Sequence, residues 1–283
     1  MTILQILILA VVQGACEMLP VSSSAHVIVA EKLMGLDPTT PAMTFLLVML
    51  HTGTMLAVIV YFWRAWRERY FSSAAAFWPF AKFVVLATAL TGFIGLGLLL
   101  AIERIVLRGT AHAEVEHLFG NTHLIAAGLG TVGVMIVLSG WREAKSVGRA
   151  PLGPRAAAWI GAVQGFCLPF RGFSRSGATI SVGLLRGVDK ERVEDFSFAL
   201  AVVLTPVVIA REGYRLLNTH EAAATAAGLF DAAWPSLLGM SLSFLAALVA
   251  LRWLSRWLER SHWHWFGYYC LLAAVALLAV PAR

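Results

Sequence analysis

Charge is what this sequence has least of. Asp, Glu, Lys and Arg make up 13% of its 283 residues, against ~25% in a soluble domain. Hydrophobic residues make up 59%, more than a water-soluble fold of this size can hide, so a soluble globular enzyme is excluded. Disorder is excluded on the same ground, because disordered chains are poor in apolar residues. Cysteine is scarce too: Cys16, Cys167 and Cys270 cannot build a disulfide framework. A net charge of +6 raises nucleic acid as a partner, but the basic residues punctuate apolar runs instead of forming a patch, so no nucleic-acid partner is expected.

What is present is a series of apolar runs. A bilayer-crossing helix needs about 20 predominantly apolar residues. Residues 41–63, 83–102, 122–141, 196–210, 234–251 and 265–280 meet or approach that length. Two further runs do not read as simple spans. Residues 3–12 lead into Gln13, Gly14, Glu17, Pro20 and three serines before resuming at 27–33, and residues 156–170 lead into Arg171, Gly172, Ser174, Arg175 and Ser176 before resuming at 180–185. Irregular backbone at membrane depth is tolerated where it is buried in protein or lines a wet cavity. Both runs are therefore expected to be re-entrant hairpins. No basic segment precedes Ile3, so the first run reads as a hairpin and not as a signal peptide.

Cytoplasmic loops collect Lys and Arg. Alternating loops place fourteen of them on one side, among them Arg64, Arg67, Arg69, Lys145, Arg149, Lys190 and Arg256. Six fall on the other side: Lys32, Arg104, Arg108, Arg211, Arg215 and Arg283. Both termini are then expected outside, in a multi-pass membrane protein surrounded by membrane lipids. Trp63, Trp66, Trp234, Trp265, Tyr268 and Tyr269 sit near span ends and read as interfacial anchors. Gly92, Gly95, Gly97, Gly128, Gly130 and Gly133 lie within spans and read as helix-packing positions.

An internal repeat organises these pieces. Val12-Gln13-Gly14-Ala15-Cys16 recurs as Val163-Gln164-Gly165-Phe166-Cys167, an offset of 151, and each copy runs on to Leu-Pro and a serine cluster. Each half is one hairpin plus three spans. Three is odd, so the halves have opposite topology. The expected architecture is a single all-α polytopic membrane domain with six transmembrane helices and two re-entrant hairpins, in repeat halves 1–150 and 151–283. Inverted repeats place sites where broken helices meet.

The hairpins also hold the chemistry. A charge at the bilayer centre costs about 2.5–3.5 kcal/mol on insertion scales, so Glu17, Arg171 and Arg175 need a polar cavity. Around Arg175, residues Gly172, Ser174, Ser176, Gly177 and Thr179 offer backbone N–H groups and hydroxyls. Arginine adds a planar fork that fits phosphate oxygens, so this segment reads as a phosphate cradle. The first hairpin offers Gln13, Glu17, Ser22, Ser23, Ser24 and His26: a carboxylate, an imidazole and candidate nucleophilic hydroxyls. Phosphoryl transfer needs charge stabilisation, positioning and a proton-handling group. His51 either lines the cavity or bonds across helices.

At these residues the chain resembles the undecaprenyl-diphosphate phosphatase family, also called BacA. The family's first motif, (Glu/Gln)-Gly-x-x-Glu-x-x-Pro-x-Ser-Ser-x-x-His, stands here as Gln13, Gly14, Glu17, Pro20, Ser22, Ser23 and His26. The second, Pro-Gly-x-Ser-Arg-Ser-Gly-x-Thr, stands as Gly172, Ser174, Arg175, Ser176, Gly177 and Thr179, with Arg171 in place of its proline. The resemblance implies six spans and two re-entrant hairpins, with an active site open to the outer face. It also implies hydrolysis of undecaprenyl diphosphate to the monophosphate carrier of peptidoglycan synthesis, the reaction tied to bacitracin resistance and cell-wall biogenesis. A polyprenyl diphosphate substrate and stimulation by a divalent cation, Mg²⁺ or Ca²⁺, follow, and a homodimer is compatible with it. Gln13 stands where the first acidic position is often Glu, leaving Glu17 as the hairpin's carboxylate for a cation or a proton.

The expected roles are phosphate binding by Gln13, Ser22, Ser24, Gly172, Ser174, Ser176, Gly177 and Thr179, with Glu17, Ser23, His26 and Arg175 catalytic. Ser23 is the first choice of nucleophile with His26 as its base; His26 itself, or water, is the alternative. A polyprenyl-phosphate transporter of the same architecture is the rival function. It needs anion binding but no poised base and nucleophile.

Overall fold

Apolar runs this long satisfy their backbone within lipid most simply as helices. The computed structural model, which describes residues 1–37, 40–106, 122–144, 150–217 and 222–279, is helical along nearly all of that length. Among the described residues there are ten α-helices: α1 (Ile3–Met18), α2 (Ser23–Leu33), α3 (Pro41–Arg69), α4 (Ala74–Ala101), α5 (Thr122–Ala144), α6 (Pro154–Cys167), α7 (Arg175–Leu185), α8 (Lys190–Leu217), α9 (Ala222–Glu259) and α10 (Trp263–Leu278). A π-turn, Ile102–Val106, extends α4. By length and composition, α3, α4, α5 and α9 can cross a membrane, while α1 and α10 are apolar but shorter. Of the six expected spans, four therefore meet that test among the described residues. Arg108, Lys145, Arg149 and Arg283, counted in the charge bias, and Val280, the expected end of the last span, lie outside the described residues.

The helix breaks are shorter than the sequence suggested; the first begins later, and the second begins and ends earlier. Helix α1 continues through Gln13 and Glu17 to Met18, so both side chains ride its last turns; glutamine and glutamate are good helix formers and do not interrupt it. The break is confined to 19–22. In the second copy the break runs from 168 to 174, and Arg175 already opens α7.

The chain divides into two compact units. One comprises Met1–Met18, Ser23–Arg64 and Ala201–Leu254; the other comprises Leu19–Ser22, Ala65–Leu200 and Ser255–Arg283. In the first, Ile6, Leu9 and Ala10 of α1, Val27 of α2, and Met43, Leu46 and Leu50 of α3 form one buried cluster. Helix α9 packs tightly in this unit: a Cβ on Gly14 would lie 2.6 Å from the Ser243 carbonyl oxygen, and one on Gly53 would collide with the Met240 carbonyl. The Ser243 hydroxyl donates to the Leu50 carbonyl at 3.0 Å.

In the second unit the same device recurs between α6 and α4. A Cβ on Gly165 would lie 2.8 Å from the Thr91 carbonyl oxygen, and one on Gly161 would strike the Ala87 backbone. Thr91, in turn, accepts from Gln164 Nε2 at 3.1 Å. Helices α5 and α10 cross where Gly133 and Gly267 abut each other's backbone. Gly92 and Gly97 differ from the expectation: among the described residues nothing lies within 4 Å of a Cβ at either, so they pack against none of these.

The start of α8 is the polar centre of this unit. Lys190, 3% exposed, pairs with Glu143 of α5 at 2.6 Å and donates to Ser261 Oγ at 2.7 Å. Glu194 accepts from Ser255 at 2.5 Å. Asp195 and Glu191 both hold Arg69 at the end of α3. Trp66 is not an interfacial anchor; it is 6% exposed, and its indole N–H donates to the Asp195 carbonyl at 3.3 Å. Trp63, Trp234, Trp265 and Tyr269 are largely exposed, as anchors should be.

Two stability predictions follow from these contacts. Gly161→Ala should destabilise the protein by about 1–3 kcal/mol, the usual result of overpacking against backbone, whereas Gly92→Ala should leave it unchanged or slightly steadier. Thermal unfolding of both variants in detergent checks the contrast. Lys190→Ala strands the buried Glu143 carboxylate and should cost about 3–5 kcal/mol, while Lys190→Met combined with Glu143→Leu should recover most of that loss. Equal melting of the single and double variants would show that the pair contributes nothing.

Candidate active site

The first motif builds a proton-handling pair. Gln13 and Glu17 lie four residues apart on α1, hence on one face. Gln13 Nε2 donates to Glu17 Oε2 at 3.4 Å. Ser23, the first residue of α2, donates its hydroxyl to the same oxygen at 2.6 Å. A carboxylate accepting a serine proton at that distance is placed to act as its base. His26 lies three residues beyond Ser23, on the same side of α2, and is half-buried, as are Ser23 and Ser24. His51 Nδ1 lies 2.8 Å from the Leu47 carbonyl oxygen, so that nitrogen carries the proton; its expected cross-helix role is thus a bond within α3 itself. Each of these residues belongs to the first unit.

The second motif lies in the second unit with the tip of the first hairpin, Leu19–Ser22. Ser22 takes φ +67°, the left-handed region, which costs a non-glycine residue about 1–2 kcal/mol. This turn is pinned on two sides: Ser176 Oγ donates to the Leu19 carbonyl at 3.4 Å, and Cys270 Sγ donates to the Pro20 carbonyl at 3.2 Å. The break before α7 is equally confined. Gly172 has φ +90° and a Cβ there would strike the Ile125 carbonyl, while Gly128 abuts Phe173 N and Arg171 O. Only glycine fits at 172 on both counts.

Ser174 caps α7, its hydroxyl accepting from Gly177 N–H at 3.3 Å, and the Ala178 N–H goes to the Ser174 carbonyl. Gly177 packs against Pro20, Val132 and Ile136. Its N–H is thus engaged by the cap, and its small size serves packing. Thr179 is fully buried, with its hydroxyl 2.8 Å from the Arg175 carbonyl and 2.6 Å from Ser197 Oγ. Ser174 and Ser176 are 4% and 2% exposed, whereas Arg175 is half-buried. The residue is more open than the serines on either side of it, although its Nη1 is buried. It stands at a helix N-terminus, where the backbone dipole also favours an anion.

Ser197 carried no signal in the motif reading. The available hint was a lone hydroxyl between Phe196 and Phe198, seven residues after Lys190 and three after Glu194. No group of three or more His, Cys, Asp or Glu side chains that could hold a metal occurs among the described residues. Magnesium and calcium take six or more oxygen ligands. Glu17, with one oxygen already accepting from Ser23 and Gln13, is the carboxylate of this motif that would meet such an ion.

Comparison with known proteins gives the family. The family model for bacitracin resistance protein BacA matches residues 6–276. A protein named undecaprenyl-diphosphatase 2 from Acinetobacter baylyi is 53% identical over 282 residues, spanning 99% of this chain and 98% of that one. The undecaprenyl-diphosphatase of Rhodopirellula baltica is 30% identical across 99% of both chains. That of Anaeromyxobacter is 34% identical over 98% of this chain and 87% of its own. Two motifs at two helix breaks, within a match that runs nearly end to end, make this chain a member of the BacA family.

Proposed function

We propose that this protein is an undecaprenyl-diphosphate phosphatase. It hydrolyses undecaprenyl diphosphate to undecaprenyl phosphate and inorganic phosphate, returning the lipid carrier to peptidoglycan synthesis. The observation that carries the chemistry is the 2.6 Å bond from Ser23 to Glu17. A transporter of polyprenyl phosphates needs anion binding but has no use for a hydroxyl already seated on a base.

In the proposed reaction Ser23 Oγ attacks the terminal phosphorus, and its proton passes to Glu17. The new Ser–O–P bond forms as the anhydride P–O bond breaks, and the lipid leaves as its monophosphate. Glu17 passes that proton to the departing monophosphate oxygen. Water, deprotonated by Glu17 or His26, then attacks the phosphoserine, and the same base returns the proton to Ser23 Oγ as inorganic phosphate leaves. Arg175 holds the diphosphate bidentately, Ser174 and Thr179 fix the turn that presents it, and Gly172 and Gly177 allow the close packing. Gln13 orients Glu17, while Ser22 and Ser24 flank the nucleophile. A divalent cation, Mg²⁺ or Ca²⁺, would be held by Glu17 and would supply charge neutralisation to the diphosphate.

The finer topology belongs to the same proposal. Helices α3, α4, α5, α8, α9 and α10 span the cytoplasmic membrane, and α1–α2 and α6–α7 are re-entrant hairpins in inverted halves 1–150 and 151–283. The matching close approaches of Gly14 to α9 and of Gly165 to α4 support the repeat. The Lys/Arg bias supports outward termini and a site facing out.

Phosphate release from undecaprenyl diphosphate by the purified protein tests the function; movement of the lipid in liposomes without release would establish the transporter instead. Arg175→Lys keeps the charge but loses the fork, and should lower kcat/KM at least about tenfold, or roughly 1.4 kcal/mol. Undiminished turnover would remove Arg175 from the cradle. Quenching with labelled substrate tests the nucleophile. An acid-stable, alkali-labile phosphate is expected on the wild type and absent from Ser23→Ala. An acid-labile adduct that persists in Ser23→Ala and vanishes in His26→Ala would transfer the role to His26.

A further inference from the structure

The second motif ends at Thr179, but the hydrogen-bond chain that starts there does not. Thr179 and Ser197 are both 0% exposed, with their hydroxyl oxygens 2.6 Å apart. Thr179 has one proton to give, and the Arg175 carbonyl takes it at 2.8 Å. With the Thr179 proton on that carbonyl, Ser197 is the donor of the pair. The chain runs from the Ser197 O–H, through the Thr179 O–H, to the carbonyl of the residue that carries the guanidinium. Linked hydroxyls polarise one another, and in a dry interior each bond is strengthened.

Ser197 is held on a fixed element. Lys190, Glu194 and Ser197 recur at helical spacing along one face of α8. The first is tied to Glu143 of α5 and to Ser261, and the second to Ser255 of α9. The third reaches α7. Close packing backs this contact, since a Cβ on Gly183 of α7 would lie 2.6 Å from Val193 of α8. The face that anchors α8 thus also grips the first turn of α7.

We infer that Ser197 is a positioning residue for the phosphatase reaction: acting through Thr179, it sets the backbone of Arg175 and so the place where the guanidinium meets the diphosphate. This rests on the phosphatase assignment above. A hydroxyl that merely packs would affect stability alone, whereas a positioning hydroxyl also changes affinity for phosphate.

The test uses the full-length protein, Ser197→Ala, Ser197→Thr, Thr179→Val and the Ser197→Ala/Thr179→Val double variant. Steady-state turnover of undecaprenyl diphosphate is one readout, and the thermal shift produced by inorganic pyrophosphate is the other. Ser197→Ala should lower kcat/KM and pyrophosphate affinity together by about three- to tenfold, the value of one net hydrogen bond. Ser197→Thr, which keeps the hydroxyl, should recover both. The double variant should be no worse than Thr179→Val, because one chain cannot be broken twice. Wild-type pyrophosphate affinity in Ser197→Ala, or losses that multiply in the double variant, would overturn the inference. If Ser197→Ala does not fold, Ser197→Cys compared with Ser197→Thr carries the same comparison. A wild type that binds pyrophosphate yet releases no phosphate would overturn the phosphatase assignment and leave the binding test of Ser197 intact. A wild type that pyrophosphate does not stabilise would overturn the inference along with the cradle.

Discussion

A helix that breaks inside an apolar protein releases backbone N–H and C=O groups that water cannot reach, and the protein must satisfy them itself. Much of what distinguishes this chain follows from having two such breaks. At the first, the Leu19 carbonyl accepts from both Val21 N–H and the Ser176 hydroxyl, and a thiol serves the Pro20 carbonyl. At the second, the serine that opens α7 caps it. Neighbouring helices come close enough to seal the breaks only because glycine stands at the crossings, as Gly128 does against Phe173. Two of the groups that satisfy the broken backbone, the Ser174 and Ser176 hydroxyls, belong to the second motif, so changing that motif also disturbs the fold.

Polar side chains elsewhere obey the same economy. The buried charge Lys190 has a carboxylate and a hydroxyl for company, and the indoles of Trp66 and Trp263 each find an oxygen. Trp263 lies against Ser139 of α5 and Ser181 of α7, a second tether on the helix that begins with Arg175. Helix α7 is short, 11 residues, and too short to be stable by itself. Its orientation is therefore dictated by what holds it.

Much of this was legible in the sequence. The long apolar runs gave the helices, and the repeated Val-Gln-Gly segment precedes both helix breaks. The motif residues lie at or beside those breaks. The misplacements have physical causes. Polar residues such as Gln13 and Glu17 look like interruptions in an apolar run, yet they prolong α1 because their helix propensity is high and their face is a polar one. Trp66 resembled the other anchors because nothing in its neighbourhood foretells Asp195, which is 129 residues away. Gly92 and Gly97 read like Gly95, since spacing alone does not tell which side of α4 meets a partner. Ser197 was missed because its significance lies wholly in a partner on another helix.

In the repeat register, Glu17 corresponds to position 168, where the chain has leucine. Leu168 fills the notch left by Gly95 of α4, its Cδ1 standing 2.6 Å from where a Cβ would be. Two copies of one segment have thus become chemically opposite, one acidic and the other basic. Returning a carboxylate to position 168 would press it into an apolar surface shaped around leucine. Packing against Gly95 thus favours an apolar side chain at 168, and the carboxylate stays with the first segment.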